Sequence, residues 1–453
     1  MTRTTLTFHG GVGEIGGNKI LLEERDARLW LDIGASFGLG KGYFTEFLSA
    51  RERFGLRDYF ALDLLPWIPG LYSADALDDT DRLYEPPRFS AIAISHIHWD
   101  HTNHLRFVDP SIPVHLGEGT KSILDSWQAT ARSGIVNLKD HAYRTFRTGR
   151  SFEADGLEVE PIHVDHSAPA AYGYLIYTDA GAIAYTGDLR QHGPRGEMTR
   201  EFIDAARKAK PLVLITEGTR VAPDDPRSSL SEGEVKAEAT RLISEAGDRL
   251  AIATFYPRDV DRIRTFYEVA VATGRRFVVN AKTAHLLRTL HRDPRLSVPD
   301  VANDANVLVH FREMNKVESW ERDLQDLVRD RGVSSEYIRD HQGGLVVQLE
   351  FVHLNELIDI RPKPGSPFIH SRSEPFEEED VDDQVLQNWL DRFGLVRHQL
   401  HASGHMSMRE IAEMIREIRP NAVMPVHTEH PEIFTQFAER VVLPRLRTPM
   451  VVA

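Results

Sequence analysis

The sequence contains no cysteine. That excludes disulfides and thiolate ligands together, so any metal must be held by nitrogen and oxygen donors. It has no uninterrupted apolar run approaching the roughly 20 residues that cross a bilayer. Its first residues, Met1-Thr2-Arg3-Thr4-Thr5-Leu6-Thr7-Phe8, form no apolar signal core. These absences fit a cytoplasmic protein with no membrane partner. Basic charge is also short: 54 Lys and Arg face 68 Asp and Glu, a formal net charge of −14. Coating nucleic acid by overall charge is disfavoured, but a nuclease is not excluded, because bound cations and a local basic lining supply their own field. At 453 residues, 41% hydrophobic and 27% charged, the chain has the composition of a soluble globular protein with two or three domains.

What is present is concentrated in one run, Ser95-His96-Ile97-His98-Trp99-Asp100-His101. It follows the apolar, strand-like stretch Ser90-Ala91-Ile92-Ala93-Ile94. A lone histidine is usually structural. Three histidines and an aspartate in six positions at a strand end have no folding rationale, whereas two divalent cations give them one. Ligands two apart in extended backbone point to one side, and Asp100 and His101 then serve a second ion. Further ligands are expected at other strand ends. Gly181-Ala182-Ile183-Ala184-Tyr185-Thr186-Gly187-Asp188 reads as a strand ending in a carboxylate able to bridge. His163 and His166 are candidates three residues apart, and His427 ends a C-terminal strand.

The rest of the chain gives organisation. Gly11, Gly13 and Gly16 satisfy G-x-G-x-x-G, but strand-like stretches follow instead of a helix, so the glycines read as a turn between strands and not as a dinucleotide site. Residues 83–217 read as short strands and loops, with a helix near Lys121–Ala131. From 218 to 290 helix and strand alternate. Ser231-Glu232-Gly233-Glu234 forms a capping box, Ala251–Phe255 a buried strand, and Val260, Ile263, Phe266, Tyr267 and Ala270 a helix face ended by Gly274. Phe277-Val278-Val279 is the next strand of this βαβ pattern. Residues 300–372 mix strands and charged stretches, and the acidic Glu374–Asp380 reads as solvated. A second capping box, Ser407–Glu410, opens a helix that Pro420 stops.

The ordered motifs resemble the metallo-β-lactamase fold, and within it the β-CASP branch and ribonuclease J. The residues carrying the resemblance are the Gly10–Gly16 turn, His96–His101, His166-Ser167-Ala168-Pro169 with Gly173, Thr186–Arg190, Thr216–Thr219, His401–His405 and Pro425–Glu429. The resemblance implies an α/β protein: an αββα sandwich begun by residues 1–217, an inserted β-CASP α/β domain over 218–372, and a return segment, 373–453. It implies that His96, His98 and His166 hold one metal, that Asp100, His101 and His427 hold the other, and that Asp188 bridges. His166 is preferred to His163 because only His166 precedes Ser-x-Pro and a glycine. The ions would be two Zn2+ or Mn2+, activating water for attack on phosphorus.

Asp100, Glu217 and His405 are the implied catalytic groups, Glu217 orienting ligands or water and His405 reaching the scissile phosphate or leaving oxygen. Ser371, Arg372, Ser373, Ser403 and Gly404, with His405, are implied substrate contacts around a terminal 5′ phosphate, against the plainer reading of surface-loop serines. Arg190 and Arg372 could contact the backbone or be surface charges. The expected substrate is single-stranded RNA, cut 5′-to-3′ or internally, and the expected assembly a homodimer. Single-stranded DNA, a small phosphodiester, an ester or lactone, or a silent binding role are the alternatives. Trp99, Thr102-Asn103-His104 and Ala170-Ala171 depart from ribonuclease J, and Tyr59–Leu83 has no counterpart and is expected to shape substrate access. The sequence ends shortly beyond His427, so no extra C-terminal domain is expected.

Overall fold

A computed structural model describes residues 3–452 except 46–47, 52–53, 132–137, 139–140, 226, 228–229 and 374–380. The acidic stretch Glu374–Asp380 therefore lies outside the described residues.

Three sheets organise the chain. The first has seven strands in the order β20-β1-β2-β3-β4-β5-β6. These are β1 (Thr4–Gly10), β2 (Lys19–Glu24), β3 (Ala27–Leu31), β4 (Ala91–Ala93), β5 (Val114–Gly117), β6 (Tyr143–Phe146) and the short β20 (Met450–Val451). The second has six, in the order β19-β11-β10-β9-β8-β7: β7 (Phe152–Ala154), β8 (Leu157–Val164), β9 (Ala171–Thr178), β10 (Gly181–Tyr185), β11 (Val213–Thr216) and β19 (Val423–Pro425). Side chains alternate across each strand. Leu29 and Leu31 enter the core between the sheets with Leu6, Phe8, Ile176, Tyr185 and Ile215. Trp30, between the two leucines, faces the other way with Ile123 and Leu124 of the helix Glu118–Thr130. On the far side, helices Gly196–Ala209 and Met408–Ile418 cover the second sheet through Phe202, Ile203, Ile411 and Ile415. The result is the expected αββα sandwich.

The third sheet is fully parallel, in the order β15-β14-β13-β16-β12-β17-β18. Its strands are β12 (Ala251–Thr254), β13 (Arg276–Asn280), β14 (Val307–His310), β15 (Gly332–Val333), β16 (Leu345–Gln348), β17 (Pro367–His370) and β18 (Val396–Gln399). Parallel strands bury both faces. Helices Glu232–Glu245 and Val260–Ala272 cover one face, and Leu354, Leu357, Ile360, Leu386 and Leu390 pack on the other. Both predicted capping boxes form: Ser231 accepts from Glu234 N, and Ser407 from Glu410 N.

The boundary expected at residue 372 is corrected. Strands β17 and β18 are hydrogen-bonded neighbours, with Pro367 opposite Val396 and His370 opposite Gln399. The inserted sheet thus continues to Gln399, through the helix Val381–Phe393 that closes its crossover. The stretch 59–83 is packed: Leu65, Ile68, Leu71 and Tyr72 are buried with Phe107 and Val108, bracing the chain just after the His96–His101 run. No helix among the described residues is long and apolar enough to cross a membrane.

Candidate metal centre

The ligand loops gather where the ends of β4, β8, β10, β11 and β19 meet. Strand β4 delivers His96 and His98. A single helical turn, Trp99–Thr102, then swings Asp100 and His101 inward. Loops after β8, β10, β11 and β19 bring His166, Asp188, Glu217 and His427.

The predicted side chains come together as two sets sharing Asp188. His96, His98, His166 and Asp188 form one, and Asp100, His101, Asp188 and His427 the other, with ligand atoms within 4.8 Å of one another in each. His98 Nδ1 lies 3.0 Å from both His96 Nε2 and His166 Nε2. Asp188 Oδ2 lies 3.5 Å from His96 Nε2 and 3.1 Å from His101 Nε2. His427 Nε2 is 2.8 Å from Asp100 Oδ2. A tetrahedral ion with bonds of about 2.1 Å spaces its donors roughly 3.4 Å apart.

Two features test the fit of a cation. Three imidazole nitrogens converging on one point cannot all be satisfied by one another, since a neutral ring offers one N–H and one lone pair. In addition, His101 Nε2 and Asp188 Oδ1 are buried without a hydrogen-bond partner, a costly state that coordination would relieve. The residues fit divalent metal.

Electrostatics divides the two sets. Burial holds His96 and His166 well below the usual imidazole range and His98 near 4, neighbouring imidazoles adding to the effect on the first two. These rings are neutral, as ligation requires. For Asp188, burial opposes ionisation, but His101 and His427 outweigh it and hold the carboxyl well below its usual range. Burial likewise lowers His427, yet Asp188 and Asp100 overcome it and hold the ring at about 9.

The outer nitrogen of most ligand rings is fixed, which sets tautomer and orientation. His101 Nδ1 meets Asp32 Oδ2 at 2.7 Å, His427 Nδ1 meets Thr219 Oγ1 at 2.8 Å, and His166 Nδ1 meets the Gly404 carbonyl at 2.6 Å. Asp32 was not singled out from sequence. It also accepts from Ser95 N, Ser95 Oγ and Tyr185 OH. Its signal was an aspartate before a glycine at the end of the strand next to β4.

Close backbone approach explains two glycine positions. A Cβ on Gly34 would lie 1.6 Å from the Asp100 carbonyl oxygen, and one on Gly16 2.8 Å from Asp100 Cβ. Gly34→Ala is expected to destabilise the fold by about 3 kcal/mol, the upper range of overpacking, because the obstacle is backbone. Denaturant unfolding checks this, and an unchanged midpoint would refute it.

Beside Asp188 stand Glu217 and His405. His405 Nδ1 is 2.9 and 3.0 Å from the two Glu217 carboxylate oxygens and 4.0 Å from Asp188 Oδ2. Glu217 is fully buried and also accepts from Leu189 N and Thr219 N. It thus ties the His405 ring to the backbone that carries Asp188 and to the residue that holds His427.

The expectations for Ser371 and Arg190 are corrected, and the other residues are placed as follows. Ser371 is buried, its hydroxyl engaged by Arg262 and the Leu400 carbonyl, so it does not line a phosphate pocket. Arg190 is neither a surface charge nor placed to contact the backbone of a bound strand. It is fully buried against Asp165, Glu232, Asp261 and the Ser403 carbonyl. Ser403 Oγ accepts from His405 N, and Gly404 supports His166, so both shape the metal centre. Arg372 and Ser373 are exposed. His163 stays out of the centre, stacked on Tyr172 at 4.5 Å. Tyr256, from the inserted domain, stands with its ring 5.7 Å from that of His98 and was not anticipated.

Comparison with known proteins finds related domains, chains and a related fold. Residues 72–255 match a beta-lactamase superfamily domain, and residues 394–441 a Zn-dependent metallo-hydrolase RNA specificity domain. The chain is 27% identical to ribonuclease J of Sinorhizobium meliloti over 437 residues, covering 93% of this chain and 68% of that protein. It is 25% identical to ribonuclease J 2 of Streptococcus pyogenes over 446 residues, covering 96% and 71%. A crystal structure of a protein of unknown function from Enterococcus faecalis has the same fold, with a TM-score of 0.80 at 23% identity, over 99% of this chain and 100% of that one. Over these stretches the chain is similar to the metallo-β-lactamase superfamily and to the RNA specificity domain of Zn-dependent metallo-hydrolases, and along most of its length it is similar to ribonuclease J.

Proposed function

We propose that this chain is a ribonuclease that hydrolyses phosphodiester bonds of single-stranded RNA with two divalent cations, Zn2+ being the best match to four nitrogen and oxygen donors per site. The observation that carries the reading is the pair of four-residue ligand sets sharing Asp188, with the Glu217–His405 pair directly beside it. The RNA specificity domain matched over residues 394–441 contains His405 and supports RNA as the substrate. His96, His98 and His166 would hold one ion, Asp100, His101 and His427 the other, and Asp188 both. When bound, such ions supply the positive charge that makes water a nucleophile at neutral pH and offsets charge on phosphoryl oxygens.

The chain's own groups do the rest. Asp32, Thr219 and the Gly404 carbonyl fix the ligand rings so that little rearrangement is needed during reaction. Glu217 accepts from His405 Nδ1, which leaves Nε2 of a protonated ring to donate a proton to the departing 3′ oxygen. Since the Ser371 hydroxyl is already engaged, recognition of a terminal 5′ phosphate would fall to other groups.

Digestion of 5′-monophosphate, 5′-triphosphate and circular RNA, with matching single-stranded DNA, tests the reading. Metal-loaded chain is expected to cleave linear RNA. Failure to cleave any RNA would end the ribonuclease assignment, and preferential cleavage of DNA would move it to the alternative substrate.

A further inference from the structure

Three arginines crowd the junction between the sandwich and the inserted domain, and they differ in one respect. Arg190 is paired with Asp165, Glu232 and Asp261, and Arg262 with Glu232. Arg258 makes no ion pair among the described residues. Instead its guanidinium lies over the Trp127 ring, 4.0 Å from the centroid, and its Nη2 donates to Tyr256 OH at 2.6 Å. Its Nη1 is shielded from solvent and has no hydrogen-bond partner. Trp127 belongs to the sandwich and Arg258 to the loop after β12, so the contact spans the two domains.

This arrangement also lies next to the metal centre. Tyr256, which aims Arg258, has its ring 5.7 Å from that of His98. Trp99, within the ligand run, packs at 5.7 Å against Trp127. A guanidinium held by an aromatic face and a phenol, with its Nη1 donor unspent, is suited to an anion. Its planar fork matches phosphate oxygens two at a time. In a chain with net charge −14, an arginine not neutralised by a carboxylate supplies the local positive field that a polyanionic strand needs.

We propose that Arg258 contacts a phosphate of the bound strand next to the scissile one, with Trp127 and Tyr256 as the residues that position it. The inference rests on the ribonuclease reading and names a substrate contact within that site.

The test measures binding of a fluorescein-labelled single-stranded RNA, and of the same DNA sequence, in an Asp188→Ala background at several salt concentrations. Arg258→Gln is expected to weaken RNA binding about tenfold and to lower the slope of log affinity against log salt by about 0.7, the value of one phosphate contact on a single strand. Arg258→Lys is expected to keep the slope but bind severalfold more weakly, since lysine keeps charge and loses the fork. Equal slopes for Arg258→Gln and its parent would overturn the proposal, leaving Arg258 a domain clamp. If Arg258→Gln does not fold, Arg258→Lys decides: undiminished affinity overturns the contact. Failure of the metal-loaded wild-type chain to bind or cleave RNA would instead sink the ribonuclease reading itself.

Discussion

Asp188→Ala is expected to lower RNA hydrolysis by about 10³-fold or more while leaving the far-ultraviolet circular dichroism unchanged. Asp188 Oδ2 lies 3.5, 3.1, 3.8 and 4.0 Å from nitrogens of His96, His101, His427 and His405. No other side chain is common to all three clusters of candidate ligands. Its removal would take one donor from each proposed ion site and the negative charge that would offset two cations. The stabilisation a metal ion gives a phosphoryl transition state is several kcal/mol, and each 1.36 kcal/mol is about tenfold in rate. The secondary structure is expected to survive, because β10 is held by its pairing with β9 and β11 and not by the aspartate. Rates within tenfold of wild type would refute a bridging role.

The second large effect concerns His405. His405→Ala is expected to reduce kcat by about 10²–10⁴-fold, the usual contribution of a positioned proton donor, with a smaller change in KM. Glu217→Gln is expected to cost about 10–100-fold, as loss of a group supporting a reacting residue does. Glutamine keeps the shape but not the charge, and its amide cannot accept from both Leu189 N and Thr219 N while also receiving the ring N–H. If Glu217 acts chiefly through His405, the two losses do not add, and Glu217→Gln in a His405→Ala background costs little more. Full additivity of the two losses on kcat would show that Glu217 acts elsewhere.

The sequence was most informative where function forces rare residues together. The His96–His101 run, Asp188 and His427 could be picked out because histidines and aspartates at strand ends have no packing rationale, and the structure brings them to one place. Both capping boxes were legible because their signal spans four residues. What escaped depends on partners far away in the chain. Arg190 looked like a substrate-backbone contact or a surface charge because Asp165, Glu232 and Asp261 are separated from it by 25, 42 and 71 positions. Ser371 looked free because its partners, Arg262 and Leu400, lie 109 and 29 positions away. Asp32 resembled any strand-end carboxylate until His101, Ser95 and Tyr185 converged on it. The insert boundary was misplaced for the same reason: β17 and β18 pair across the intervening helix Val381–Phe393, and local pattern carries no trace of that register.

We propose that one buried cage holds two cations through Asp188. Elemental analysis of chain purified without chelators tests it most directly. The predicted result is two equivalents of a divalent transition metal per wild-type chain, falling below one in Asp188→Ala, with RNA hydrolysis lost on chelation and regained on reloading. One equivalent or less in wild-type chain that hydrolyses RNA at its full rate would contradict it.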